Sequence, residues 1–116
     1  MGTWGPEPWD NDMAADWFGD LFDSMPIVDK VMEGLKEKVV DIQVAALWTC
    51  VQLCRVYIWD IDRLTETLQL AVETADSILA GRGGYLEDWG EDEPLHRSRL
   101  QAMRDELASR LINLQP

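Results

Sequence analysis

Apolar residues recur every three or four positions along this chain, and no stretch alternates with period two for long. Such spacing puts apolar side chains on one face of a helix and predicts an all-α protein. In residues 12–23, Met13, Trp17, Phe18, Leu21 and Phe22 fall on one stripe and Asp12, Asp16, Asp20 and Asp23 on the other. Asp10, Asn11 or Asp12 can accept the free N–H groups of that helix's first turn. Ser24 is the expected N-cap of a second helix, with Pro26 in its first turn and Ile27, Val28, Val31, Met32 and Leu35 turned to the core. Gly34 weakens this helix by about 1 kcal/mol relative to alanine.

A third helix, from Ile42 to about Ile58 behind an Asp41 cap, is apolar nearly all round. Its polar strip is Thr49, Gln52 and Arg55, so it belongs at the centre of a bundle. Asp60 or Asp62 opens a fourth helix, faced by Ile61, Leu64, Leu68, Ala71, Val72, Ala75, Ile78 and Leu79 and stopped by Gly81. Residues 81–93 read as an acidic loop clipped down by Tyr85, Leu86 and Trp89. Pro94 suits the first turn of a last helix, 94–114, faced by Leu100, Met103, Leu107, Leu111 and Leu114. The expected fold is a compact single-domain bundle of about five helices over residues 1–116, four of them within 12–80. An extended Gly/Pro arm, residues 1–11, is expected to pack on it.

Charge narrows the partners. Twenty-two acids against 10 bases leave a formal net charge of −12. Nucleic acids and anionic membrane surfaces are poor partners for such a chain, because both are bound mainly through Lys and Arg. Basic protein surfaces or metal cations are the electrostatically natural ones. The longest apolar stretch is broken by Gln43, Thr49, Gln52 and Arg55, so no membrane span is expected. No cationic segment leads into an apolar one at the start, so no signal peptide is expected, and the location expected is cytoplasmic.

Candidate chemistry is sparse. With one histidine, no Gly-rich phosphate loop and no nucleophile elbow, an enzyme is not expected. The carboxylate-dependent alternative would rest on Glu91, Asp92 and Glu93. Asp10-Asn11-Asp12 begins like a calcium loop, but Ala14 and Ala15 stand where a ligand and a glycine are needed, and Asp60-Ile61-Asp62 fails at Leu64. Cys50, Cys54 and His96 would give zinc three ligands, and thiols on an apolar helix are more simply core residues. Neither a metal nor a cofactor is expected. Cys50 and Cys54 lie on consecutive turns of one helix, a poor geometry for a disulfide, so reduced thiols are expected.

The opening Met-Gly-Thr-Trp-Gly, then Trp9-Asp10-Asn11-Asp12, then Ala14-Ala15-Asp16-Trp17 resembles an uncharacterised family of small bacterial helical proteins, domain-of-unknown-function family 4259. Its members open M-G-x-W-G, continue with an aromatic before D/E-N-D, and enter an A-x-D-[WF] helix. The likeness covers Met1 to about Asp23. It implies an all-helical fold and no particular activity.

Acid and tryptophan concentrate at two places: Trp9, Asp12, Asp16, Asp20 and Asp23 near the start, and Glu87, Asp88, Trp89, Glu91 and Asp92 in the loop. These ten residues are the candidate partner-binding set, and the reading they support is a small acidic protein docking a basic protein surface, of immunity, anti-defence or inhibitor type. The alternative from another class is a helical assembly subunit, a homodimer paired through the leucine face of the C-terminal helix.

Overall fold

The computed structural model describes residues 12–56 and 59–114. Within them are five α-helices and no strand: α1 (Asp12–Asp23), α2 (Ile27–Leu35), α3 (Val40–Val56), α4 (Ile61–Leu79) and α5 (Glu93–Leu114), with two 3-10 turns, Arg82–Gly84 and Glu87–Asp92, between α4 and α5. The all-α expectation is met. The arm, with Trp4 and Trp9, lies outside the described residues, and so does its expected packing.

The helix boundaries follow backbone hydrogen bonding more closely than side-chain pattern. Ser24 does not cap α2. Its N–H bonds the Asp20 carbonyl and its hydroxyl donates to the Leu21 carbonyl at 2.7 Å, so it finishes α1 instead. The residue preceding α2 is Pro26, with no side-chain cap. Likewise α3 begins at Val40, so Asp41 sits in its first turn rather than capping it, and the Val39 carbonyl accepts the Ile42 and Gln43 N–H groups at 3.1 and 3.2 Å. For α4 the cap is Asp60, whose carboxylate accepts the Asp62 N–H at 3.0 Å. Gly81, with φ +106°, ends the helix as expected. The loop expected at 81–93 is largely tight 3-10 turn, pinned by Leu86, which is 2% exposed.

α3 is the central element: it packs against α2, α4 and α5, and the most extensive helix contact is α4 on α5. Leu47, Cys50, Leu68, Ala71, Ala75, Ile78 and Leu107 are fully buried, and Leu35 and Leu100 nearly so. The leucine face of α5 is therefore internal, joined by the half-buried Met103, Leu111 and Leu114. It lies on the bundle and is not presented to a second copy, which removes the face on which a C-terminal-helix dimer was expected. Gly34 also has its reason here. A Cβ at that position would stand 2.8 Å from the Cβ of Ala46, so the close approach of α2 to α3 requires glycine.

A buried amide joins three elements. Gln43 is 6% exposed, and its Nε2 donates to the carbonyls of Leu35 (3.2 Å) and Glu37 (2.6 Å). These are carbonyls at the end of α2 that have no helical partner. Its Oε1 accepts from Arg82, whose Nε donates to Ser77 Oγ at 2.6 Å. One side chain thus ties the end of α2, the start of α3 and the turn after α4.

α1 differs from the others. Among the described residues it takes part in none of the extensive helix contacts. Met13 is 72% exposed, Trp17 62% and Leu21 38%, so much of the apolar stripe expected to bury against a bundle faces solvent.

Candidate functional site

Two acidic regions were expected, and the structure separates them. Asp16, Asp20 and Asp23 are exposed on α1; Asp12 opens that helix. Trp9 lies outside the described residues. Glu87, Asp88, Glu91 and Asp92 are exposed on the second 3-10 turn. The C-terminal end of α1 meets the first turn of α4, where Asp23 and Ser24 share a shallow cleft with Asp29 and Arg63. The acidic turn lies past the other end of α4, where Arg97 donates to the Leu79 carbonyl and pairs with Glu93. Arg63 and Leu79 are 16 residues apart on α4, about 24 Å at 1.5 Å per residue.

The cations of the chain are mostly engaged elsewhere. On α5, Arg104 pairs with Asp76 of α4 at 2.8 Å and with Asp105 at 3.4 Å. Arg110 pairs with Glu106, and Arg97 with Glu93. Arg55 of α3 grips Glu106 through two hydrogen bonds, 3.0 and 2.6 Å. The hydrogen bond from Arg55 holds the Glu106 carboxyl below the usual carboxylate range, and Arg110 adds to this, against a smaller opposing effect of burial. Arg63 pairs with Asp29. Among the described residues, none of these pairs reaches Asp16, Asp20, Glu87, Asp88, Glu91 or Asp92.

Trp89 is partly used internally. Its indole lies flat on the His96 imidazole, ring centres 3.6 Å apart and planes 13° apart, and Tyr85 meets it edge-on at 6.1 Å. It remains 41% exposed. Another exposed aromatic escaped the sequence reading: Trp48, 58% exposed on α3. Its position offered a clue, because on a helical wheel it neighbours the polar strip of Gln52 and Arg55.

Cys50 and Cys54 are free thiols facing each other across one turn of α3. A hydrogen bond to Cys54, together with burial, pushes the Cys50 thiol up. The same bond and the nearby Arg110 draw Cys54 down. No group of three or more metal-ligating side chains occurs among the described residues. Among the described residues no helix is long and apolar enough to cross a membrane.

A sequence profile for a domain of unknown function, DUF4259, matches residues 2–51. The match takes in α1, α2 and most of α3, and leaves out α4, the acidic turn and α5. No curated protein and no solved structure matches the chain.

Proposed function

We propose that this chain, a member of the DUF4259 family through its residues 2–51, is a small acidic binding protein that docks a basic protein surface through α1. One observation carries the reading: Met13, Trp17 and Leu21, exposed at i, i+4 and i+8, run beside Asp16, Asp20 and Asp23 on a helix little packed on the bundle. Tryptophan is enriched among the residues that anchor protein interfaces. The carboxylates would steer a cationic partner and set register, while the apolar stripe would supply most of the affinity. Like charges four residues apart, as at Asp16 and Asp20, disfavour a lone helix by a few tenths of a kcal/mol. Asp20 and Asp23 also stand at the helix's negative end. A cationic partner offsets both.

The acidic turn Glu87–Asp92 is a second, separate surface in this reading, since α4 holds it away from the end of α1. The role is a non-enzymatic one, of immunity, anti-defence or inhibitor type. A cytoplasmic setting is part of the same proposal.

The test uses the full chain immobilised beside two variants, Trp17→Ala and Asp16→Lys/Asp20→Lys, in extracts of its native cells. A basic protein retained by the parent, released as salt rises, and lost from both variants supports the proposal. Equal retention by parent and variants would sink it, as would capture that salt does not weaken. Thermal melts of the variants, expected to stay close to the parent, separate lost docking from lost folding.

A further inference from the structure

Six of the seven arginines have an ion-pair or hydrogen-bond partner on the chain; Arg99, exposed on α5, has none among the described residues. An unengaged guanidinium is notable where acids outnumber bases by more than two to one. Arg99 lines a groove of about 340 Å³ between α3 and α5, together with Trp48, Tyr85, His96, Leu100 and Met103. Leu100 is buried and Met103 half-buried, so they form an apolar floor. Trp48 supplies a broad exposed ring on the α3 side. On the α5 side the wall is held in place, because His96 is stacked on Trp89, which Tyr85 meets edge-on. A preformed wall lowers the ordering cost of binding.

We propose that this groove binds a small aromatic carboxylate, its ring between Trp48 and the Tyr85/His96 wall and its carboxylate on Arg99. Guanidinium and carboxylate match as a planar, two-point pair. The volume falls at the low end for small-ligand pockets, roughly 300 Å³ upward, which suits a one- or two-ring acid. Asp41, on the α3 rim of the groove, would turn the carboxylate away from its own side and toward Arg99. The site is distinct from α1 and does not depend on the docking proposed for that helix.

The experiment follows ¹⁵N-labelled full-length chain by NMR during titration with indole-3-carboxylate, then with its neutral analogue indole-3-carboxamide, at about 0.15 M salt so that the net negative charge is largely screened beyond about 8 Å. The Trp48 indole N–H signal is assigned by its loss in Trp48→Phe. Saturable shifts of that signal and of the Leu100 region are expected with the acid. Affinity should fall about tenfold, near 1.4 kcal/mol, both for the carboxamide and for the acid on Arg99→Ala. Arg99→Lys should keep part of the affinity. Arg99 is exposed, so both variants should retain the parent's dispersed spectrum. The proposal is overturned by unsaturable or absent shifts, by equal affinity for acid and amide, or by Arg99→Ala binding as well as the parent.

Discussion

α1 and α4 carry the same kind of sequence and behave in opposite ways. Both repeat apolar residues at helical spacing, and both carry acids on the other face. On α4 the face formed by Leu68, Ala71, Ala75 and Ile78 is wholly excluded from water, and Asp76 on its flank is met by Arg104 of α5. On α1, Met13, Trp17 and Leu21 remain exposed, and Asp16 and Asp20 have no ion-pair partner among the described residues. Amphipathicity marks a face that can be buried; what buries it depends on whether another element has a matching face within reach. α4 has α5 along its length. Among the described residues α1 meets the bundle at its C-terminal end, and its exposed Met13, Trp17 and Leu21 form the face proposed for a partner.

The largest expected effect breaks the core side of this contrast. Leu107→Ala removes a fully buried core side chain of α5 and should cost about 2–5 kcal/mol, read by chemical denaturation. Trp17→Ala removes a bigger side chain but should cost less than about 1 kcal/mol, since most of that ring is already in water. A loss of several kcal/mol at Trp17 would erase the distinction between the two helices.

Next comes the contact between α2 and α3. Gly34→Ala raises helix propensity by about 1 kcal/mol, yet its new Cβ would meet the Ala46 Cβ at 2.8 Å, where neither stub can swing away. Overpacking of this kind costs about 1–3 kcal/mol, so a net loss is expected, visible as a lower melting temperature. A stabilised variant would show that α2 can retreat from α3.

A smaller effect, close to 1 kcal/mol at most, is expected from Glu106→Gln at the partly exposed pair with Arg55 and Arg110. The sign follows from the depressed carboxyl. Folded Glu106 holds its proton less tightly than the unfolded residue, whose value is about 4.3. Its contribution is therefore present above that value and lost as pH falls through the lower folded one. The parent should lose stability in that acid window and the glutamine variant should lose less, measured as unfolding free energy against pH. The smallest change is expected for Asp20→Lys on α1, which removes a like-charge pair and an unfavourable helix-end charge. It should leave stability level or raise it by a few tenths of a kcal/mol. A clear loss there would mean that Asp20 is engaged within the molecule.

Much of the fold was legible because it is set by local chemistry. Periodicity located all five helices, Asp60 and Gly81 marked the bounds of α4, and the nearly all-round apolar character of α3 placed it at the centre. The misplaced caps, Ser24 and Asp41, show where that reading stops. Both residues can cap a helix, but the backbone carbonyls nearby were satisfied in other ways. Gln43 was the larger omission. A lone polar residue at the start of an apolar helix gives no sign that it will accept from Arg82 and close off the end of α2.

By itself, then, the sequence determined the helix set, the central element, the acid surplus and the two acidic stretches, because each follows from residues close together in the chain. Only the tertiary structure decided that α1 keeps Met13, Trp17 and Leu21 exposed and that α5 turns Leu100 and Leu107 inward. It also decided that the acidic turn lies at the far end of α4 and that Arg99 has no partner among the described residues and lines a groove with Trp48. Those outcomes depend on which surfaces meet across tens of residues, and helical periodicity encodes the presence of a face without encoding its neighbour.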